Sequence, residues 1–518
     1  MINKIEKYNS LFAYSLFFLA LLVVVLITNL PTNMDEFLPY HSISCDQSKT
    51  FSKLNDNFRE GCSKYRTSFA GFEYTRSYAY VGKISSILYY PIYFIKNNLE
   101  AYYLFEFIFV ILSAFLISRI TQGGLLGMII PITYLPLTYS LVHDTGPIKI
   151  SVVMLLLTIL IGRSLLSNIN ISNYSYIHKS LLIFLFVSVA IEDKPFFLYL
   201  LPAIYIFIVY TKNKENIKFS YSRQRLLFDA HIRYLTNISL IAILFVLAAF
   251  TLLFFLKVKH GDNFVPYIRF LFGWVSGTSI SFFDQISKIF YSSFFDLYFL
   301  ERNFDFYSFS LVNLTLLSLS GILVKLIWIK NYLFIDHKSL LSILSILIVF
   351  LLLGNASQPH HFVFLHIFIL ISIIRWQRNN QRSLLIISGL FLINSFLNIY
   401  FISSKDPYKH ASYDREEIFT FLTTEETLKD SLVNFSSWGG SYQQSLFGPI
   451  DQVVTFTGEL NEKIANDLVD SANSLKKDSF YNICFNCNEE SMRLYFPEKK
   501  INEVNIGTNT WKVFRIFL

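Results

Sequence analysis

Residues 11–30 read LFAYSLFFLALLVVVLITNL, twenty positions without a charge, and the chain then turns polar at Asn33-Met34-Asp35-Glu36-Phe37. A run of about 20 apolar residues matches the thickness of a bilayer's hydrocarbon core. Lys4 and Lys7 precede the run, no A-x-A-like site follows it, and more apolar runs do. It therefore reads as an uncleaved first span with a cytoplasmic N-terminus, not as a signal peptide. Composition points the same way. Of 518 residues, 53% are hydrophobic and 16% charged, against about 25% charged in soluble domains. That excludes a cytosolic enzyme, a disordered chain and a nucleic-acid binder. The net charge of +7 marks basic cytoplasmic loops rather than a nucleic-acid surface.

The apolar runs predict about eleven spans. They are Leu11–Leu30, Ala101–Ile117, Leu125–Val142, Ile148–Leu166, Leu181–Ile191, Phe196–Val209, Ile238–Leu256, Phe306–Trp328, Ser339–Leu353, Phe362–Ile374 and Leu384–Ile402. The fifth and sixth are short enough to be one broken pair. With the N-terminus inside, every inner gap is basic, from Arg119, Arg163 and Lys179 through the dense run Lys212–Arg233 to Lys330, Lys338, Arg375, Arg378 and Arg382. This follows the positive-inside rule. The other side holds a long loop at 31–100, a loop at 257–305 and the tail, and all four cysteines fall there. Disulfides persist outside the cytoplasm, so Cys45, Cys62, Cys484 and Cys487 support the topology independently. The expected pairs are Cys45–Cys62 and Cys484–Cys487. A C-x-x-C also suits redox chemistry or half a zinc site, but no His or Cys cluster stands beside this one, which favours a structural bridge.

The Tyr-rich stretch Ala79–Ile95 reads as an interfacial helix. After Asp406 charges become frequent and apolar runs shorten. There Arg415–Lys429 and Glu459–Leu475 read as helices, and Leu432–Phe435, Gln452–Phe456, Phe480–Phe485 and Lys512–Phe517 as strands. The expected fold is a polytopic all-α membrane domain over 1–405 and a small extracytoplasmic α/β domain over 406–518. The expected location is the plasma (inner) membrane.

The few charges near span ends are the candidate site. Asp35 and Glu36 stand at the outer exit of the first span, where a carboxylate could take a proton from a hydroxyl; the simpler reading is a solvated acidic pair. His143-Asp144-Thr145-Gly146-Pro147 lies at the next outer turn. Asp144 there is read first as a cap on the following helix, and second as an acid that orients an acceptor or binds a metal. Glu192-Asp193-Lys194-Pro195 places three charges within membrane-embedded sequence, a functional candidate by default. Lys194 could hold a phosphate as a point charge, or pair with its acidic neighbours in an interfacial turn. Gln358-Pro359-His360-His361 opens the tenth span. His360 and His361 could contact phosphate, whereas adjacent histidines point apart and so suit a metal poorly. Glu106, inside the second span, reads as a packing or interfacial acid. All four motifs converge on the outer ends of spans.

This pattern resembles the GT-C superfamily of integral-membrane glycosyltransferases, in the branch of the protein O-mannosyltransferases and the lipid A aminoarabinose transferases. Those enzymes carry an acidic motif in a long first outer loop, as Asp35-Glu36 stands here, and interfacial helices in that loop, as Ala79–Ile95 suggests. Many end in a soluble outer domain. Their Lys-Gly-Pro-like turn is partly matched by Lys194-Pro195, without the glycine, and His360 and His361 replace a basic residue often found near the tenth span. The resemblance implies a polyprenyl-phosphate-sugar donor, an envelope glycan, lipid or protein acceptor, and transfer with inversion. Asp35 is then the general base, with Glu36 and Asp144 beside it. Lys194, His360 and His361 face the donor phosphate. The resemblance fixes no cofactor, and a requirement for a divalent cation stays open. Trp438-Gly439-Gly440-Ser441-Tyr442 in the tail reads as a turn, or as a platform for a sugar. The rivals are a repeat-unit polymerase or ligase, a transporter or flippase, and a scaffold protein. Transporters often show related halves and midplane charges, and neither is found in the sequence.

Overall fold

In the computed structural model the chain is described over residues 2–28, 30, 66–69, 72–75, 84–95, 99–143, 148–167, 173–194, 196–210, 224–260, 343–348, 362–378, 381–403, 418, 421, 431–436, 453–456, 460–485, 487–506 and 511–518. The expected spans Phe306–Trp328 and, apart from 343–348, Ser339–Leu353 lie outside these residues, as does the pair Cys45–Cys62. The helices are α1 (Ile2–Ile27), α2 (Ile84–Ile95), α3 (Leu99–Thr121), α4 (Gly124–Thr133), α5 (Leu135–Val142), α6 (Lys149–Ser167), α7 (Asn173–Asp193), α8 (Phe197–Tyr210), α9 (Gln224–His260), α10 (Val363–Gln377) and α11 (Gln381–Ser403). Two more, α12 (Glu462–Ser474) and α13 (Glu489–Tyr495), belong to the tail. Four described helices, Glu100–Thr121, Lys149–Leu166, Tyr174–Asp193 and Ser383–Tyr400, are long and apolar enough to cross a membrane, and a bent pair makes a fifth. The chain is an integral membrane protein. The span expected at Leu181–Ile191 is the end of the longer α7, whose polar first turns hid its start from a reading of hydropathy alone.

Contacts gather the chain into two units. The first comprises Met1–Asn29, Glu106–Val142 and Ile148–Ile402. Within it α1 packs on α4 and α5, these pack on α10, and α6 packs on α7, α8 and α9. Gly162 lets α6 approach α8, since an added Cβ there would stand 2.9 Å from Ile208. Small residues permit such close approach where lipid supplies no hydrophobic drive.

The third expected span is broken. α4 and α5 meet at Tyr134 with a 72° bend. Tyr134 takes an extended backbone, φ −82 and ψ 95, and Pro136 follows two residues later. A proline within a helix removes one backbone donor and clashes with the preceding turn. In hydrocarbon the carbonyls so released need new partners. The single hydrogen of Thr138 Oγ1 is shared between Pro131 O at 2.9 Å and Ile132 O at 2.7 Å. Ser395 of α11 donates to Thr133 O, and the Tyr134 hydroxyl bonds His366 Nδ1 of α10.

The second unit comprises Leu30–Phe105, His143–Pro147 and Ser403–Leu518. A hairpin of β1 (Arg66–Phe69) and β2 (Phe72–Thr75) was not foreseen from the sequence. Helix α2 falls within the stretch expected to lie at the interface. It buries Tyr89, which stacks on Tyr102 at 5.3 Å and meets Phe105 edge-on at 4.9 Å. The tail forms a five-stranded sheet in the order β4-β3-β5-β7-β6, from β3 (Leu432–Phe435), β4 (Val453–Phe456), β5 (Ser479–Phe485), β6 (Ile501–Val504) and β7 (Trp511–Phe517). β3 runs parallel to β4 and β5, while β7 is antiparallel to both β5 and β6. The crossover helix α12 begins at Asn461, whose side chain accepts from Ile464 N at 2.9 Å, the expected role of an N-cap. Alternation along β7 puts Phe514 and Ile516 in one core, with Leu468 and Met492, and Trp511 and Val513 in the other, with Val433 and Phe421. The Cys484–Cys487 bridge is present and ties the end of β5 to the start of α13.

Thr138→Val should lower stability by about 1–2 kcal/mol, because it strands two carbonyls in hydrocarbon. Thermal unfolding in detergent measures this, and an unchanged midpoint would contradict the role given to Thr138.

Candidate functional site

Burying a charge in hydrocarbon is unfavourable unless the charge is paired. The first unit contains four such buried residues within a few turns of one another. Glu106 on α3 is 0% exposed and Lys149, in the first turn of α6, is 1% exposed. They form an ion pair, and the Lys149 ammonium also lies 5.7 Å from the Phe109 ring. Two residues further along α6, Ser151 Oγ donates to Asp193 Oδ2 at 2.9 Å and to Ala190 O at 3.1 Å. Ser151 N donates to the same carboxylate oxygen at 3.3 Å. Asp193 thus accepts at the N-terminus of α6, where free N–H groups and the helix dipole favour an anion.

Lys194 follows directly and is 3% exposed. Its position is set by backbone bonds: Lys194 N donates to Ala190 O at 3.0 Å, and Phe197 N to Lys194 O at 2.8 Å. Phe196 and Phe197 then pack on Phe364, with ring centroids 6.5 Å and 6.1 Å apart. Phe364 lies at the start of α10, three residues after His361. One end of the bundle therefore unites Glu106, the start of α6, the Lys194 turn and the start of α10.

The other end is basic. Arg163 Nη1 donates to Ile120 O at 2.6 Å, Lys179 Nζ to Ser164 Oγ at 2.8 Å, and Arg378 Nη1 to Gln122 Oε1 at 3.3 Å. Helices α3 and α6 are consequently pinned twice, by Glu106–Lys149 and by Ile120–Arg163. The same number of residues separates the pins on each helix, so the two run parallel and in register.

Among the sequence-predicted site residues, Lys194 is the described one. Asp35, Glu36, Asp144, His360 and His361 lie outside the described residues. Among the described residues no group of three His, Cys, Asp or Glu side chains could hold a metal. Lys149 and Ser151 escaped the sequence reading, which took Glu106 as a packing acid and Asp193 only as a neighbour of Lys194. The available signal was two opposite charges, Glu106 and Lys149, set in separate apolar runs.

Removal of one partner of the buried pair, by Glu106→Gln or Lys149→Met, should destabilise by about 3–5 kcal/mol. The double variant should lose less than either single one. Thermal unfolding gives the cycle, and additive losses would show that the two charges do not depend on each other.

No family model and no curated protein matches this chain. Solved structures do. The crystal structure of ArnT from Cupriavidus metallidurans bound to undecaprenyl phosphate superposes over 98% of both chains, with a TM-score of 0.53 at 11% identity. The apo form of the same protein matches over 99% of this chain and 98% of that one, with a TM-score of 0.48 at 12% identity. The chain has an ArnT-like fold.

Proposed function

We propose that this protein is a membrane glycosyltransferase that moves one sugar from a polyprenyl-phosphate donor to an envelope glycan, lipid or protein at the outer face of the plasma membrane. The observation that carries the proposal is the buried charged end of the bundle, with Lys194 held in a turn between two helices, inside a fold shared along the whole chain with a protein that binds undecaprenyl phosphate. The acidic Asp35-Glu36 motif in the first long loop adds the group such a reaction needs.

In the proposed reaction Asp35 takes the proton of the acceptor hydroxyl. The hydroxyl oxygen attacks the anomeric carbon as the bond from that carbon to the phosphate oxygen breaks, so configuration inverts. Polyprenyl phosphate departs with the electron pair. Lys194, together with His360 and His361, balances the charge that grows on the leaving phosphate, an electrostatic contribution realised in the transition state. Glu36 and Asp144 orient the acceptor. The Glu106–Lys149 pair and the Ser151–Asp193 bonds hold the backbone that presents Lys194.

One observation favours a transporter, namely the broken span α4–α5, since discontinuous helices often expose carbonyls to cargo. Here those carbonyls are bonded by Thr138 and Ser395, so the break serves packing.

Asp35→Asn should reduce sugar transfer from a polyprenyl-phosphate donor by at least about a hundredfold, with the protein still inserted and folded. Lys194→Met should reduce kcat with a smaller effect on stability than Lys149→Met. Radiolabelled-sugar transfer in proteoliposomes measures both, and full activity of the Asp35→Asn protein would remove the proposed base.

A further inference from the structure

The end of the tail sheet where β5 begins and β7 finishes is rich in cations. Phe517 N donates to Lys500 O, and Leu518 N to Asp478 O, both at 3.0 Å. These bonds bring the turns at 476–479 and 498–501 beside the last residues of β7. Arg515 is opposite Tyr481 in the register, and Phe517 opposite Ser479. The Arg515 guanidinium lies 4.9 Å from the Phe517 ring and 5.6 Å from that of Tyr481, and its Nε donates to Ser479 Oγ at 3.0 Å. Lys500 Nζ sits 5.4 Å from the same Phe517 ring.

Two rings and one hydrogen bond thus hold the guanidinium, yet among the described residues no acceptor meets its Nη groups. Elsewhere on the domain Arg493 pairs with Glu489, and Lys512 with Glu503. Among the described residues none of Lys476, Lys477, Lys499, Lys500 and Arg515 has an ion-pair partner. Asp478 and Glu498 stand in the same turns and are outnumbered. Like charges gathered on one ring repel each other, and an external anion relieves this. A fixed guanidinium fork suits phosphate, which accepts two parallel bonds from it. The half-buried Phe517 supplies an apolar neighbour for the interface.

We infer that this basic and aromatic end of the tail domain docks on the phosphate headgroups of anionic lipids. The same chain carries apolar helices long enough to cross a bilayer. The inference rests on membrane placement and not on sugar transfer, and each can fail without the other.

The test uses the full chain in nanodiscs, with a fluorophore on Glu498→Cys and a quencher on lipid headgroups. Quenching should be stronger in phosphatidylcholine–phosphatidylglycerol discs than in phosphatidylcholine alone, and should fall with added salt. Arg515→Gln with Lys500→Gln should lower the docked-to-free ratio by about thirtyfold, whereas Arg515→Lys with Lys500→Arg should keep most of it. Equal quenching of the unaltered protein in both lipids would overturn the proposal, as would full quenching in the double glutamine variant. Displacement by inorganic phosphate at constant ionic strength would also overturn it, by showing a free-anion site instead.

Discussion

Hydrocarbon leaves neither a backbone carbonyl nor a charge any partner outside the protein, and the described helices are arranged around that constraint. Glu106 and Lys149 are each untenable alone when fully buried. Together they fix α3 against α6 at one end, and Arg163 repeats the connection at the other by capping the carbonyl of Ile120. The break between α4 and α5 follows the same logic. Proline removes a donor, and hydroxyls from Thr138 and Ser395 replace it. A 72° bend can then be kept inside the bundle, with the Tyr134–His366 bond closing the corner.

The constraint also gives the two ends different chemistry. One collects arginines and a lysine that bond a carbonyl, a hydroxyl and an amide oxygen. The other collects the Glu106–Lys149 pair, Asp193 bonded to Ser151, and the buried Lys194. The proposed transfer of a sugar from a lipid phosphate needs that second kind of end, because charge must be moved and balanced where the lipid meets water. Asp193 is instructive here. Its bonds to Ser151 N and Oγ tie the end of α7 to the start of α6.

Much of this was legible in the sequence because it depends on local pattern. Charge-free runs mark spans, basic gaps separate them, and the pattern over 512–517 marks a strand. Strands were missed where polar and charged residues interrupt the apolar pattern, as in Arg66–Phe69 and Ile501–Val504. Of the candidate site, Lys194 was legible because three charges interrupt an apolar region. Lys149 was not, because a lysine two residues past Pro147 looks like the edge of a span until Glu106 is seen to meet it.

The sequence by itself determined that the chain is a membrane protein with a small α/β tail, since bilayer thickness and strand periodicity act on consecutive residues. It also determined which few charges were candidates for chemistry. Only the tertiary structure decided which charges neutralise each other, that α3 and α6 run in register, and that Arg515 is fixed between two rings. Those facts rest on contacts between residues far apart in the chain, and a buried charge is stable only when the fold, not the local sequence, brings its partner to it.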